Sequence, residues 1–354
     1  MQVGIIGLPN VGKSTLFNIL TRAGAHVASY PFTTIDRNVG VVEVPDERLE
    51  KLGQLLHPER LTPASVRFVD IAGLVKGASK GEGLGNQFLA HIREVDCIVH
   101  LVRAFENEDV AHVDGSIDPI RDIETITTEL ALADLSVLER RLTQIEKAAR
   151  SGDAELIVEY EALSTLRDLV GRGEAPAPNE WSQHLLLSKP VVYVLNVGEN
   201  GSDANTERYW QQLSRWADEK GSSALSISVR FESELQDVEL EDRERIRSEW
   251  GLVTQRPEDV VTECYRLLDL ITFYTIKGTE TRAWSIPGGT PAGKAAGKIH
   301  TDLEKGFIKA EVISVENLLA LGSMQAAREA GKLRIEGRDY LVQDGDVILI
   351  RFQH

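Results

Sequence analysis

Short apolar runs alternate with segments of helical periodicity through most of the chain. The runs at residues 2–6, 39–44, 66–70, 95–103, 189–196 and 224–228 predict β-strands. Helices are expected from about Lys13, directly after the first run, and at residues 87–93. Alternation of strands with helices predicts an α/β fold for this part of the chain.

The longest amphipathic stretch begins at Asp118-Pro119, a pair typical of a helix cap followed by proline in the first turn. Beyond it, apolar residues recur at mostly three- and four-residue steps: Ile120, Ile123, Ile126, Leu130, Ala133, Leu135, Leu138, Leu142 and Ile145. Residues 151–153 interrupt the pattern, and a second helix is expected at 154–170. We therefore predict an inserted helical hairpin, which could be a packing arm or a lever or docking surface.

The pattern changes again near residue 270, where short strand-like runs predominate. The predicted elements are a β-hairpin (271–276 and 281–286), a strand (307–315), a short helix (316–321) and a closing hairpin (338–342 and 347–352). These boundaries divide the chain into an α/β domain (1–117 and 185–268), the inserted hairpin (118–184) and a compact C-terminal α+β domain (269–354).

Composition narrows the class of protein. The 354 residues are enough for two or three domains, and 42% hydrophobic with 27% charged residues describes an ordinary globular protein. A formal net charge of −16 argues against a protein that coats DNA or an anionic membrane, and no apolar run approaches the ~20 residues of a membrane span. Cys97 and Cys264 form no metal or redox motif, and a secretory signal would disrupt the first strand, so a cytoplasmic location is expected.

A local basic patch is still compatible with this negative charge. The C-terminal domain carries five candidate residues for it: Arg282, Lys294, Lys298, Lys305 and Lys309. They form either an RNA-facing patch or ordinary solvated side chains, and the sequence leaves both interpretations open.

A phosphate-binding loop follows the first strand at residues 7–15, with the pattern G-x-x-x-x-G-K-[ST]. Gly7 and Gly12 let the backbone wrap closely around a polyphosphate, so that N–H groups point inward. Lys13 supplies positive charge to the β- and γ-phosphates, and the helix that begins there directs its positive end at them. The other nucleotide-binding candidates of this loop are Asn10, Val11, Ser14 and Thr15.

Three side chains are candidates for Mg²⁺ binding: the Ser14 hydroxyl, Asp70 and Thr34, with Thr33 as the alternative to Thr34. Asp70 ends an apolar strand in an Asp-x-x-Gly pattern, in which the Gly73 N–H can contact the γ-phosphate. A further hypothesis is that Asn10 helps to hold K⁺ beside the phosphates.

The residue after Gly73 is Leu74, where Ras-like enzymes have a glutamine that orients the attacking water. Leucine cannot hydrogen-bond water, so another group must do this or hydrolysis will be very slow. Of the eight histidines, His112 is best placed, on a polar loop after the strand at residues 95–103. From spacing alone, it could equally be an exposed loop residue.

The base-recognition corner follows the strand at residues 189–196. GTPases have Asn-Lys-x-Asp here, in which the aspartate accepts two hydrogen bonds from guanine and the lysine stem packs on the base. This chain has Asn196, Val197 and Glu199 at the corresponding positions. The lengthened acid and the lost lysine argue against guanine selectivity. Val229-Arg230 also departs from the usual Ser-Ala corner of GTPases.

Taken together, these motifs resemble the Obg branch of P-loop GTPases, and the Asn196-x-x-Glu199 corner is similar to that of its YchF subfamily, the Obg-like ATPases. The resemblance also includes residues 30–35, 70–78 and 81–89, and covers essentially the whole chain. It implies that the C-terminal domain is a TGS domain with a β-grasp fold. One departure is Thr33, where cysteine is common in the family.

The resemblance implies a cytoplasmic, Mg²⁺-dependent ATPase that prefers ATP to GTP and associates with the ribosome, through its large subunit or that subunit's RNA. A role in translation control or stress responses is also implied. The family has a hydrophobic residue in place of the catalytic glutamine, as Leu74 is here, and a histidine in the loop corresponding to residues 105–112 takes over its task. This implies His112, together with Lys13 and Gly73, as the catalytic set. The alternatives are a GTPase of the ordinary Obg type, or a binding module whose hydrolysis is incidental.

Overall fold

The computed structural model describes residues 1–23, 39–71, 84–106, 115–199, 204–250 and 254–353. The elements of the first part are β1 (Gln2–Ile6), α1 (Lys13–Ala23), β2 (Val39–Glu43), α2 (Glu47–Leu56), β3 (Arg60–Thr62), β4 (Ser65–Asp70), α3 (Leu84–Glu94), β5 (Cys97–Arg103), α4 (Pro119–Arg150), α5 (Ala154–Gly171), β6 (Val191–Asn196), α6 (Ala204–Glu219), β7 (Ser223–Ile227), α7 (Val229–Leu235), α8 (Leu240–Glu249) and α9 (Pro257–Leu267). The remaining elements are β8 (Leu270–Lys277), β9 (Glu280–Pro287), α10 (Ala292–Ile299), α11 (Thr301–Lys305), β10 (Phe307–Ser314), α12 (Val315–Leu321), α13 (Met324–Glu329), β11 (Arg334–Glu336) and β12 (Asp346–Phe352).

The chain divides into two compact units. The first unit comprises Met1–Val42 and Arg67–Cys264, and the second comprises Glu43–Val66 and Tyr265–His354. The inserted hairpin and most of the predicted α/β domain lie in the first unit. Among the described residues, none of the helices is both long and apolar enough to cross a bilayer.

The first unit is built on a sheet whose described strands have the order β2-β4-β1-β5-β6-β7. β1 pairs in parallel with β4 and β5, β5 with β6, and β6 with β7. Every residue of β5 is buried, as expected for a parallel strand covered on both faces. Because the carboxyl ends of parallel strands share one edge of the sheet, the ends of β1, β4 and β6 bring the predicted site residues of the described ranges to the same edge.

The helical hairpin prediction is confirmed by α4 and α5. Asp118 accepts a hydrogen bond from the Arg121 N–H with Pro119 in the first turn, and Asp153 caps α5 by accepting from the Leu156 N–H. The two helices share one core cluster, whose members include Leu138, Leu142, Ile145, Leu163, Leu166 and Val170. The periodic apolar positions of the sequence therefore form the seam of the hairpin.

The second unit contains a segment that the sequence analysis assigned to the α/β domain. Residues 43–66 carry α2 and β3, and β3 pairs in parallel with β9. The Tyr274 hydroxyl donates a 2.5 Å hydrogen bond to Asp46, and Arg48 forms a 2.7 Å ion pair with Asp344. The predicted boundary is wrong here, because partners more than 200 residues away decide where this segment packs.

The prediction of a closing β-hairpin is also wrong. β12 pairs antiparallel with β10 and parallel with β8, within the described strand order β11-β10-β12-β8-β9-β3. Residues 338–342 form no strand, and Leu341 contributes an isolated bridge to Pro291. The C-terminal strand therefore lies inside the sheet, and its residues Val347 and Ile348 are buried.

Candidate nucleotide-binding site

The phosphate-binding loop connects β1 to α1 and has the backbone that its glycines predict. Gly7 and Gly12 have φ angles of 154° and 99°, and Asn10 adopts a left-handed φ of 65°. A Cβ at Gly7 would lie 2.4 Å from the Leu101 carbonyl oxygen, so a side chain cannot be accommodated there. The loop therefore closes against β5 only because residue 7 is glycine.

Lys13 lies within this loop. Its side chain is buried, and its ammonium donates a 2.8 Å hydrogen bond to the Leu8 carbonyl. Burial lowers the pKa of Lys13, and the nearby Asp70 carboxylate partly opposes that shift. The loop thus holds a desolvated positive charge, which binds an anion more strongly than a solvated lysine would.

Ser14 and Asp70 are 56 positions apart in the sequence, and the fold joins them. The Ser14 hydroxyl donates a 2.7 Å hydrogen bond to the Asp70 carboxylate, which lies at the end of β4. A hydroxyl and a carboxylate are the hard oxygen ligands that Mg²⁺ prefers, and a few protein ligands suffice where phosphate and water supply the others. These two residues therefore fit a nucleotide-associated Mg²⁺.

Three of the predicted site residues lie outside the described part of the chain. They are Thr34, Gly73 and His112. Leu74 and the alternative Thr33 also lie outside it. Their proposed roles remain predictions from the sequence.

Asn196 connects the base corner to the phosphate-binding loop. Its side-chain amide donates a 2.9 Å hydrogen bond to the Val11 carbonyl, and its side-chain oxygen accepts a 3.1 Å hydrogen bond from the Val229 N–H. Asn196 is buried, so both bonds are shielded from water. A Cβ at Gly12 would lie 2.7 Å from the Asn196 amide nitrogen, which shows how closely the two segments approach.

Val197 turns its side chain away from this corner. It is 2% exposed and belongs to a core cluster with Val102 and Leu195, while its N–H donates to the Ile227 carbonyl. A valine at this position therefore cannot pack on a base as the lysine stem of a GTPase does. The predicted contact of Val197 with nucleotide therefore cannot come from its side chain and stays a prediction for its backbone.

Glu199 forms an ion pair with the Nε of Arg230, in the first turn of α7. Arg230 also lies 3.3 Å from Glu234 on the same helix. The sequence analysis noted both residues separately, Glu199 as a replaced acid and Arg230 as a departure from the GTPase corner, but missed their pairing. The pairing could have been predicted from the opposite charges of Glu199 and Arg230, because the two loops that carry them converge on the base in P-loop folds.

Two further groups near the site were not found from the sequence. His100 is buried on β5; burial first, and then the charge of Lys13, lowers the pKa of its imidazole to about 3. The Arg103 guanidinium stacks 4.5 Å from the Phe105 ring centre and donates to the Phe105 carbonyl. The hydrogen bond from Arg103 to the Phe105 carbonyl thus fixes the backbone a few positions before His112 in the sequence.

Comparison with known proteins agrees with this geometry. Residues 2–137 match a family model described as "50S ribosome-binding GTPase", and residues 270–353 match the YchF-GTPase_C model, described as "Protein of unknown function (DUF933)". The chain is 46% identical to "Ribosome-binding ATPase YchF" of Bacillus subtilis and 47% identical to that of Escherichia coli O157:H7, with 99% of both chains covered in each case. The chain belongs to the YchF family.

Relatives of the YchF family outside bacteria show the same full-length similarity. "Obg-like ATPase 1" of Caenorhabditis elegans is 41% identical, with 99% of this chain and 92% of that protein covered. The solved structure of the "Schizosaccharomyces pombe YchF GTPase" has a TM-score of 0.86 at 34% identity and covers 99% of this chain and 97% of that chain. The α/β P-loop fold with a C-terminal YchF domain is thus confirmed, whereas the names of these relatives differ between ATPase and GTPase.

Proposed function

We propose that this protein is a Mg²⁺-dependent ATPase that acts as a nucleotide switch at the ribosome. The curated relatives named above are ribosome-binding ATPases by name, at full coverage. One observation favours ATP over GTP: at the base corner, Val197 is buried and Glu199 is engaged by Arg230. The two groups with which a GTPase recognises guanine are therefore missing or occupied.

The residues have separate tasks in this proposal. Lys13 places its charge on the β- and γ-phosphates, and the N–H groups of the loop and of the start of α1 bind their oxygens. Ser14 and Asp70 hold Mg²⁺, with Thr34 as a third ligand. When bound, Mg²⁺ neutralises negative charge on the β- and γ-phosphate oxygens. Gly73 contributes its N–H to the γ-phosphate.

His112 is proposed to orient the attacking water, since Leu74 cannot. Imidazole can do this as a donor or an acceptor near neutral pH. Asn10 is proposed to help hold K⁺ beside the phosphates; equal hydrolysis rates in sodium and potassium buffers would remove this part of the proposal.

The ribosomal partner is proposed to be the large subunit or its RNA, at a cytoplasmic location. The candidate RNA patch of the C-terminal domain contains groups that already have intramolecular contacts: Lys294 pairs with Glu304 at 2.8 Å, and the Arg282 guanidinium lies 4.1 Å from the Trp284 ring centre. Sedimentation with separated ribosomal subunits, in the presence of a non-hydrolysable ATP analogue, tests this part. Equal sedimentation with both subunits would contradict it.

The main test is a titration of nucleotide-free protein with ATP and with GTP, followed by single-turnover hydrolysis of the bound nucleotide. ATP should bind more tightly and should be hydrolysed. Lys13→Ala should lose tight binding, and Ser14→Ala should weaken the Mg²⁺ dependence. The matched control is Lys51→Ala, because Lys51 is an exposed lysine on α2, outside the phosphate-binding loop, that forms an i,i+4 ion pair with Glu47.

Two outcomes would overturn this proposal. Equal or tighter binding of GTP would indicate a GTPase of the ordinary Obg type. Binding of ATP without turnover, both with and without ribosomes, would indicate a module that uses nucleotide only to hold its shape.

A further inference from the structure

The Glu199–Arg230 pair connects the two loops that form the base corner. Glu199 lies just beyond β6, and Arg230 lies in the first turn of α7, just beyond β7. The Glu199 side chain is 29% exposed and that of Arg230 is 70% exposed, so the pair is accessible to a ligand. A short ion pair at this place, where a GTPase leaves its acid free for the base, calls for a functional explanation.

We propose that Arg230 is a positioning residue for base selectivity: by pairing with Glu199, it prevents the Glu199 carboxylate from accepting hydrogen bonds from guanine. This inference rests on the proposed preference for ATP. It assigns that preference to a contact between two loops, rather than to the extra methylene of Glu199 or the loss of lysine at position 197 alone.

Hydrogen-bond chemistry supports the assignment. Guanine offers two donors on its base-pairing edge, N1–H and the exocyclic amine, and a free carboxylate accepts both. A carboxylate oxygen already paired with a guanidinium is less available to a base, and the guanidinium itself carries donors and no acceptor. Adenine has a ring acceptor at N1 in place of the N1–H donor. At the N1 position, adenine is therefore compatible with a donor-bearing arginine, whereas guanine, which has an N1–H donor there, is not.

The backbone keeps Arg230 at this corner. The preceding residue, Val229, donates its N–H to the side-chain oxygen of Asn196, three positions before Glu199. Glu234, one turn further along α7, lies 3.3 Å from the Arg230 Nε and so favours the same side-chain position. The pair is thus set by the same asparagine that contacts the phosphate-binding loop.

The test is the ratio of the dissociation constants for GTP and ATP. Arg230→Ala should lower this ratio about fivefold, the scale expected when an exposed ion pair is exchanged for a charge-assisted hydrogen bond to guanine. Arg230→Lys keeps the charge but not the planar fork, and should lower the ratio by less, about twofold. In a Glu199→Gln background, Arg230→Ala should change the ratio by less than about twofold, because the carboxylate on which it acts is gone.

The matched control is Arg215→Ala, which removes an arginine of similar exposure from α6, where it forms an i,i+4 pair with Glu219. Its ratio should equal that of the native protein. An unchanged ratio in Arg230→Ala overturns the inference, as does an equal effect of Arg230→Ala with and without Glu199. In both cases, ATP hydrolysis by the native protein would still support the proposed function, whereas its absence would overturn that function separately.

Discussion

Replacement of Asn196 by alanine should weaken both the fold and the site. The substitution removes the 2.9 Å hydrogen bond to the Val11 carbonyl and the 3.1 Å hydrogen bond from the Val229 N–H. Val11 and Val229 are each 1% exposed, so water cannot readily replace either partner. A buried polar group left unpaired costs about 1–3 kcal/mol, so two such groups predict a loss of about 2–6 kcal/mol in the free energy of unfolding of the first unit.

The effect on binding follows from the position of Val11 in the phosphate-binding loop. Without the hydrogen bond from Asn196, this peptide can rotate, and the loop must be reordered each time a nucleotide binds. We expect ATP affinity to fall about tenfold, which corresponds to about 1.4 kcal/mol.

A second variant separates the two hydrogen bonds. Asn196→Asp keeps the oxygen that accepts from Val229 but replaces the donor to Val11 with a second oxygen. That oxygen faces a carbonyl, and it is buried and charged, so Asn196→Asp should be destabilised at least as much as Asn196→Ala. Asn205→Ala serves as the control, because Asn205 is an exposed asparagine on α6.

The assays are chemical denaturation followed by circular dichroism, and titration with a fluorescent ATP analogue. The reasoning would be refuted if Asn196→Ala unfolded within about 0.5 kcal/mol of the native protein and bound the analogue within about twofold, since that is the range of an ordinary surface substitution.

Three other predictions concern acid stability, thiol reactivity and catalysis. The folded protein holds the pKa of His100 at about 3, below an unfolded value of about 6.5, so between these pH values only the unfolded chain binds the extra proton and stability decreases as the pH is lowered. Between pH 6.5 and 4.5, the loss is up to about 3 kcal/mol. It is measured by comparing the unfolding free energies of the native protein and His100→Phe over this pH range. An equal acid sensitivity of the two proteins would contradict this. Cys97 and Cys264 are both buried, and burial raises the pKa of the Cys264 thiol well above its usual value. A thiol reagent should therefore modify neither cysteine in the native protein and both after denaturation in guanidinium. Rapid reaction without denaturant would contradict this and show that the region opens readily. His112→Ala should bind ATP within a few-fold of the native protein but hydrolyse it about tenfold to a hundredfold more slowly in single-turnover assays; an unchanged rate with and without ribosomes would return His112 to an exposed loop residue.

The sequence alone was sufficient for the features that depend on neighbouring residues. The phosphate-binding loop could be recognised because its chemistry needs glycines and a lysine at fixed short spacing, and Gly7 and Gly12 have the positive φ angles that this implies. The helical hairpin was predicted because Asp118-Pro119 is a local cap signal, residues 151–153 interrupt the apolar period, and that period is itself local; the structure adds that Asp153 caps the second helix. Similarity of the motifs to a known family then supplied the expected fold and activity.

Only the tertiary structure decided how distant segments pair. It placed residues 43–66 with β9 and Asp344, set β12 inside a sheet rather than in a hairpin, and turned Val197 into the core. It also joined Ser14 to Asp70 and Glu199 to Arg230. Such contacts produce no periodic pattern or fixed spacing in the sequence, because each depends on where the sheet brings two remote segments together. The phosphate-binding loop could therefore be recognised from one short motif, whereas the Glu199–Arg230 pair, to which we assign the proposed base selectivity, is created only by folding.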